Sequence, residues 1–69
     1  MKYYVLYVAN GNLAISEIAE YGTKEQAIAK YHDVCRLMWA DASVQTASVV
    51  ILDSYMNTVE NYREDIRKA

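Results

Sequence analysis

A chain of 69 residues has room for one domain, whose burial barely offsets the cost of ordering the chain. Its single cysteine, Cys35, excludes an internal disulfide and fits a reducing compartment. A net charge of −2, from seven Lys/Arg and nine Asp/Glu, is too balanced to name a partner by field alone: a duplex binder usually carries a basic stripe and a nucleic-acid mimic a much larger acidic excess.

The first segment, Lys2–Ala9, is β-branched and aromatic and reads as a strand. Asn10-Gly11 follows, the strongest short hairpin signal, because both central residues of a type I′ turn need positive φ. The return strand is expected from Asn12 to about Tyr21. A two-residue turn sets Val8 opposite Leu13, Leu6 opposite Ile15 and Tyr4 opposite Glu17, with Tyr3 opposite Ile18 on the other face. This register points Leu6 and Val8 to the core and leaves Tyr3, Val5 and Tyr7 on the second face.

Thr23 and Gln26 form a capping-box pattern, which predicts a helix over Lys24–Ala40. Ala27, Ile28, Tyr31, Val34, Cys35, Met38 and Ala42 line one stripe of it. Leu37 points away from that stripe and Trp39 sits at its edge. Asp41–Ser43 closes the helix, and Val44–Asp53 reads as a third strand with Ala47, Val49 and Ile51 on one face. Thr58–Glu64 is expected to be a fourth strand, and Asp65–Ala69 a frayed end. The spacing of Val59, Tyr62 and Ile66 also suits a short helix capped by Asn57.

The predicted fold is therefore a single α+β domain over residues 1–69. It is a four-stranded antiparallel sheet, ββαββ, in spatial order 2-1-3-4, with one helix on one face; the alternative is ββαβα. The predicted core comprises Leu6, Val8, Leu13, Ile15, Ile28, Tyr31, Cys35, Met38, Val49 and Ile51.

Tyr3-Tyr4-Val5-Leu6-Tyr7-Val8, Asn10-Gly11-Asn12, Tyr31-His32-Asp33-Val34-Cys35, Leu37-Met38-Trp39, Thr46-Ala47, Ile51-Leu52-Asp53 and Val59-Glu60-Asn61-Tyr62 together form a pattern that resembles a group of short uncharacterised proteins of bacterial genomes, phages and mobile elements. The resemblance covers nearly the whole chain. It implies a strand after the third one, and so ββαββ, and it implies an accessory or anti-defence role. It brings no active site.

The residues themselves point away from catalysis. Cys35 and His32 are neighbours on the helix, but Cys35 lies mid-stripe, where a thiol behaves as a small hydrophobe, and no third group orients the imidazole. One histidine and one cysteine cannot close a tetrahedral zinc site within one chain. The two glycines, Gly11 and Gly22, form no phosphate-cradling loop. Hence no catalytic, metal or cofactor-binding residue is expected. The apolar runs Tyr3–Ala9 and Val49–Leu52 are too short to span a bilayer, and Met1-Lys2-Tyr3 opens no signal-peptide pattern, so a cytoplasmic protein is expected.

What remains is binding. One helix covers one sheet face, so the second face, carrying Tyr3, Val5, Tyr7, Ile18, Val50 and Leu52, is the expected interaction or oligomer surface, with a homodimer as its simplest use. Arg36, Leu37 and Trp39 form a candidate hot spot for a foreign partner, although Trp39 folded over the sheet edge is the commoner arrangement. The expected function is a non-enzymatic phage or mobile-element accessory factor that modulates a host protein. Two alternatives are a nucleic-acid-binding module stacking bases on the tyrosine face, weakened by the lack of a basic rim, and a dimer sequestering a small ligand.

Overall fold

In the computed structural model, which describes residues 1–14 and 18–68, Asn10 and Gly11 take φ of 51° and 82° and turn the chain back on itself. This is the type I′ conformation that Asn-Gly favours. The first strand, β1, runs Tyr3–Ala9; β2 is Asn12–Leu13 and β3 is Ala19–Tyr21. The helix α1 spans Lys24–Ala40, followed by β4, Thr46–Leu52, and β5, Thr58–Arg67. The sheet is antiparallel and five-stranded, in the order β2-β1-β4-β5, with β3 also pairing with β1. The single return strand expected after the turn is thus two strands, which raises the count from four to five.

The break has a geometric consequence. Val8 pairs with Leu13 as expected, but Val5 pairs with Ala19, Tyr4 with Glu20 and Tyr3 with Tyr21. Between the Val8–Leu13 and Val5–Ala19 pairs, β1 runs three residues and the returning chain six, so three extra residues are taken up. An odd excess reverses which side chains share a face. The expected pairing of Tyr3 with Ile18 is replaced by Tyr3 with Tyr21. The expected places of Ile15, Ser16 and Glu17 lie outside the described residues.

That reversal accompanies the main correction to the core. Val5 is 2% exposed and packs under α1, with Tyr3, Tyr7 and Ala9 against the same cluster. It pairs with Ile51, and Tyr7 pairs with Val49, so the odd residues of β1 and β4 share the helix-covered face. Leu6 and Val8, expected in the core, face the other way with Val50 and Ser48, their partners on β4, while Leu13, also expected inside, is exposed. Tyr3 and Tyr7, both partly buried against the core, suit the rim of the covered face, since tyrosine joins a large apolar ring to a polar tip.

From α1 the core takes Ala27, Tyr31, Val34, Cys35 and Met38, the predicted stripe, with Ile28 partly buried beside it. Thr23 caps the helix by accepting from the Gln26 N–H at 3.3 Å. The Asp41 N–H closes its other end on the Leu37 carbonyl, so Ala42 lies past the helix and is exposed.

The C-terminal segment is a strand, and the ββαβα alternative is not adopted. It reaches Arg67, so the expected fraying from Asp65 does not occur: Ile66 pairs with Ala47 and is 1% exposed. From the Leu52–Thr58 pair to the Val50–Arg63 pair, β4 runs two residues and β5 five, again with three extra. Asn61, at φ 71°, lies within this irregularity. The extra residues let Val59 and Tyr62, three apart, both pack on the core. Their helix-like spacing thus belongs to a bulged strand.

Candidate functional site

The face of the sheet away from α1 carries Tyr4, Leu6 and Val8 from β1, Leu13 from β2, and Val50 and Leu52 from β4. All are apolar or aromatic, five are partly exposed, and Leu13 is 46% exposed. Leu6, Val8, Leu13 and Val50 line a groove of about 230 Å³. One-face burial of an antiparallel sheet ordinarily leaves a polar second face. Here the second face is apolar across three adjoining strands.

On β5 the same face turns charged. Arg63 pairs with Val50, Asp65 with Ser48 and Arg67 with Thr46, so the alternation Arg-Asp-Arg lies beside the two hydroxyls of β4. The Ser48 hydroxyl donates to Asp65 at 2.7 Å, and the Arg63 guanidinium lies 3.5 Å from the same carboxylate oxygen. The Ser48 hydroxyl first, and Arg63 after it, hold the Asp65 carboxyl below its usual range. A second groove, about 320 Å³, runs between Thr46, Ser48, Arg63 and Arg67.

The interaction residues expected from sequence divide between the two faces. Val50 and Leu52 lie on the open face, whereas Tyr3, Val5 and Tyr7 belong to the helix-covered one. Ile18 is 39% exposed just ahead of β3. Tyr4, Leu6, Val8 and Leu13 take the place of the misplaced residues. Their presence was hidden by the apolar character of both faces of β1. Arg63 fell inside the expected fourth strand but was given no face, and Arg67 was missed because its segment read as a frayed end. The period-two charge pattern after Tyr62 was the available signal.

The second expected patch is on α1. Leu37 is 45% exposed and Trp39 51% exposed, while Arg36 pairs with Asp33 at 2.7 Å one turn away. The Trp39 indole N–H donates to the Glu64 carboxylate at 2.7 Å, so Trp39 does reach across to β5. These three residues do not share a groove with the sheet face.

The Tyr31 and Cys35 side chains sit close to the same Glu64. Burial first, then the neighbouring Cys35 and Glu64, push the Tyr31 hydroxyl up to about 12. Burial, then the Glu64 charge, push the Cys35 thiol up. A thiol so placed stays protonated and is a poor nucleophile. Among the described residues, no group of three or more His, Cys, Asp or Glu side chains is placed to hold a metal ion. Among the same residues, no helix is long and apolar enough to cross a membrane.

No family model matches the chain, and no curated protein or solved structure shows significant similarity to it.

Proposed function

We propose that this protein is a non-enzymatic binding protein and that its working surface is the open face of the sheet. The observation that carries this reading is the uncovered apolar patch of Leu6, Val8, Leu13 and Val50 around its groove. Contiguous exposed apolar surface of this kind marks sites of protein interaction. On this reading the partner is a host protein, and the chain acts in the cytoplasm as a phage or mobile-element accessory factor of the anti-defence type. Small size and the resemblance to short phage and mobile-element proteins support that role. The buried, protonated Cys35 is consistent with a chain that does no thiol chemistry.

Base stacking has less support on this face. Tyr3 and Tyr7 pack against the core, leaving Tyr4 as the tyrosine of the open side. Pairing with a second copy has one observation in its favour, since the same patch would stay wet on a monomer. Sedimentation at micromolar concentration distinguishes it.

The test is affinity capture from a bacterial host lysate with the wild-type chain and Leu6→Asp in parallel. The expected result is one host protein retained in stoichiometric amount by wild type and lost with Leu6→Asp, while Trp39→Ala retains it. Equal capture by Leu6→Asp would remove the open face from the function.

A further inference from the structure

We infer that the partner segment seated on the open face is acidic as well as apolar: a bulky hydrophobic side chain with one or more carboxylates beside it. This rests on the docking face proposed above and names the chemistry of its occupant. The apolar and charged grooves are neighbours. Both are lined by Val8, Ser48 and Arg63, so the two grooves adjoin, the one reaching Leu6 and Leu13 and the other Arg67. The apolar groove has room for a leucine- or phenylalanine-sized side chain. The charged groove presents two guanidinium groups flanking Asp65.

Charge decides what fits the second groove. Arg63 and Arg67 against Asp65 make the strip net positive, on a chain whose net charge is −2. Asp65 is already engaged by the Ser48 hydroxyl and by Arg63. Arg67 has no ion pair among the described residues, and the Arg63 side chain is 60% exposed. Both guanidinium groups therefore keep donors free for a carboxylate, their best-matched planar acceptor.

A second copy fits the strip less well. Laying apolar half on apolar half by a two-fold axis places β5 over β5, so two net-positive strips meet. An axis along the strands and centred on the sheet sets each charged strip against the partner's apolar side; centred on the apolar half, it leaves both charged strips uncovered. None of these arrangements gives the arginines a carboxylate partner, whereas a foreign segment carrying carboxylates at that end engages the apolar half and the charged strip together. Complementary charge at the rim of an apolar site also sets orientation and speeds association.

Selection of a random dodecapeptide phage library on the full chain tests this. The enriched peptides should combine a leucine or aromatic residue with Asp or Glu a few positions away. A synthetic consensus peptide should bind about tenfold more weakly to Arg63→Ala/Arg67→Ala, and more weakly still to Leu6→Asp, both folded by circular dichroism. Its affinity for wild type should fall as salt is raised. A consensus without acidic residues, lost on Leu6→Asp but indifferent to the arginine changes, would overturn the acidic assignment and leave the docking face standing. Peptides indifferent to both changes, or no enrichment at all, would overturn both. A micromolar dimer dissolved by Leu6→Asp would give the face to a second copy and overturn the inference.

Discussion

The indole N–H of Trp39 donates to the carboxylate of Glu64 at 2.7 Å, tying the last turn of α1 to the outer strand β5. The bond joins residues 25 apart in sequence and lies at the surface, where water competes for both groups. It matters for the binding reading, because a tryptophan whose polar edge is committed within the chain offers a partner only its ring.

Trp39→Phe keeps most of the ring and removes the donor. We expect it to lower unfolding stability by about 1 kcal/mol, in the range of a single net hydrogen bond. Urea unfolding followed by circular dichroism measures this, and a change near zero would mean the pair is satisfied equally well by water.

The two faces of β1 differ sharply in what they bury, and adjacent residues should report it. Ile66→Ala, at a site 1% exposed, should cost about 2–5 kcal/mol. Val5→Asp, under the helix at 2% exposure, should prevent folding, because it buries a charge without a partner. Leu6→Asp, one residue along and on the open face, should fold with a loss of no more than about 1 kcal/mol. If Leu6→Asp unfolded the chain and Val5→Asp did not, the faces would be reversed.

Asn10 serves the turn and the neighbouring strand together. Its Oδ1 accepts from the N–H of Gln45 at 2.8 Å and of Thr46 at 3.3 Å, and its amide donates to the Ser43 carbonyl at 2.9 Å. Its backbone N–H donates to the Thr46 carbonyl at 2.7 Å. The turn thereby fixes where β4 begins. Asn10→Ala loses the side-chain bonds and strains the positive φ, so a loss of about 2 kcal/mol is expected. Asn10→Gly keeps the conformation and isolates the bonds, and should cost less. Chemical denaturation of both variants separates the two contributions.

Much of the fold was legible because local signals were strong. Asn10-Gly11 marked the hairpin, Thr23 and Gln26 the helix start, and the stripe from Ala27 to Met38 the helix face. The open face was not legible, for two physical reasons. Tyr3, Val5 and Tyr7 are as apolar as Tyr4, Leu6 and Val8, so alternation in β1 could not choose between them. The choice then fell to the hairpin register, and the three residues taken up between β2 and β3 broke that register beyond Leu13. The same number of extra residues in β5 gave Val59 and Tyr62 a helical spacing within a strand. Insertions of this kind leave no composition signal, since they are a property of pairing and not of any one segment.

Tyr31 and Cys35 give the protein an alkaline limit. Tyr31 is raised from 10.0 to about 12, chiefly by burial, and Cys35 is raised above 9.0 by burial and then by Glu64. Both groups bind their proton more tightly in the folded chain than in the unfolded one. Below the unfolded values their contribution is fully present, and as pH rises past them the unfolded chain ionises first. Stability should therefore decline as pH rises from 9.0, and the decline should continue from 10.0 to about 12 as Tyr31 is forced to ionise. Urea unfolding across that range measures the slope, and Tyr31→Phe should flatten its upper part by removing the phenol. Glu64→Gln tests the second cause, because losing that charge should lower the Cys35 thiol and speed its reaction with a disulfide reagent at alkaline pH. An unchanged rate would place the whole of the Cys35 shift on burial.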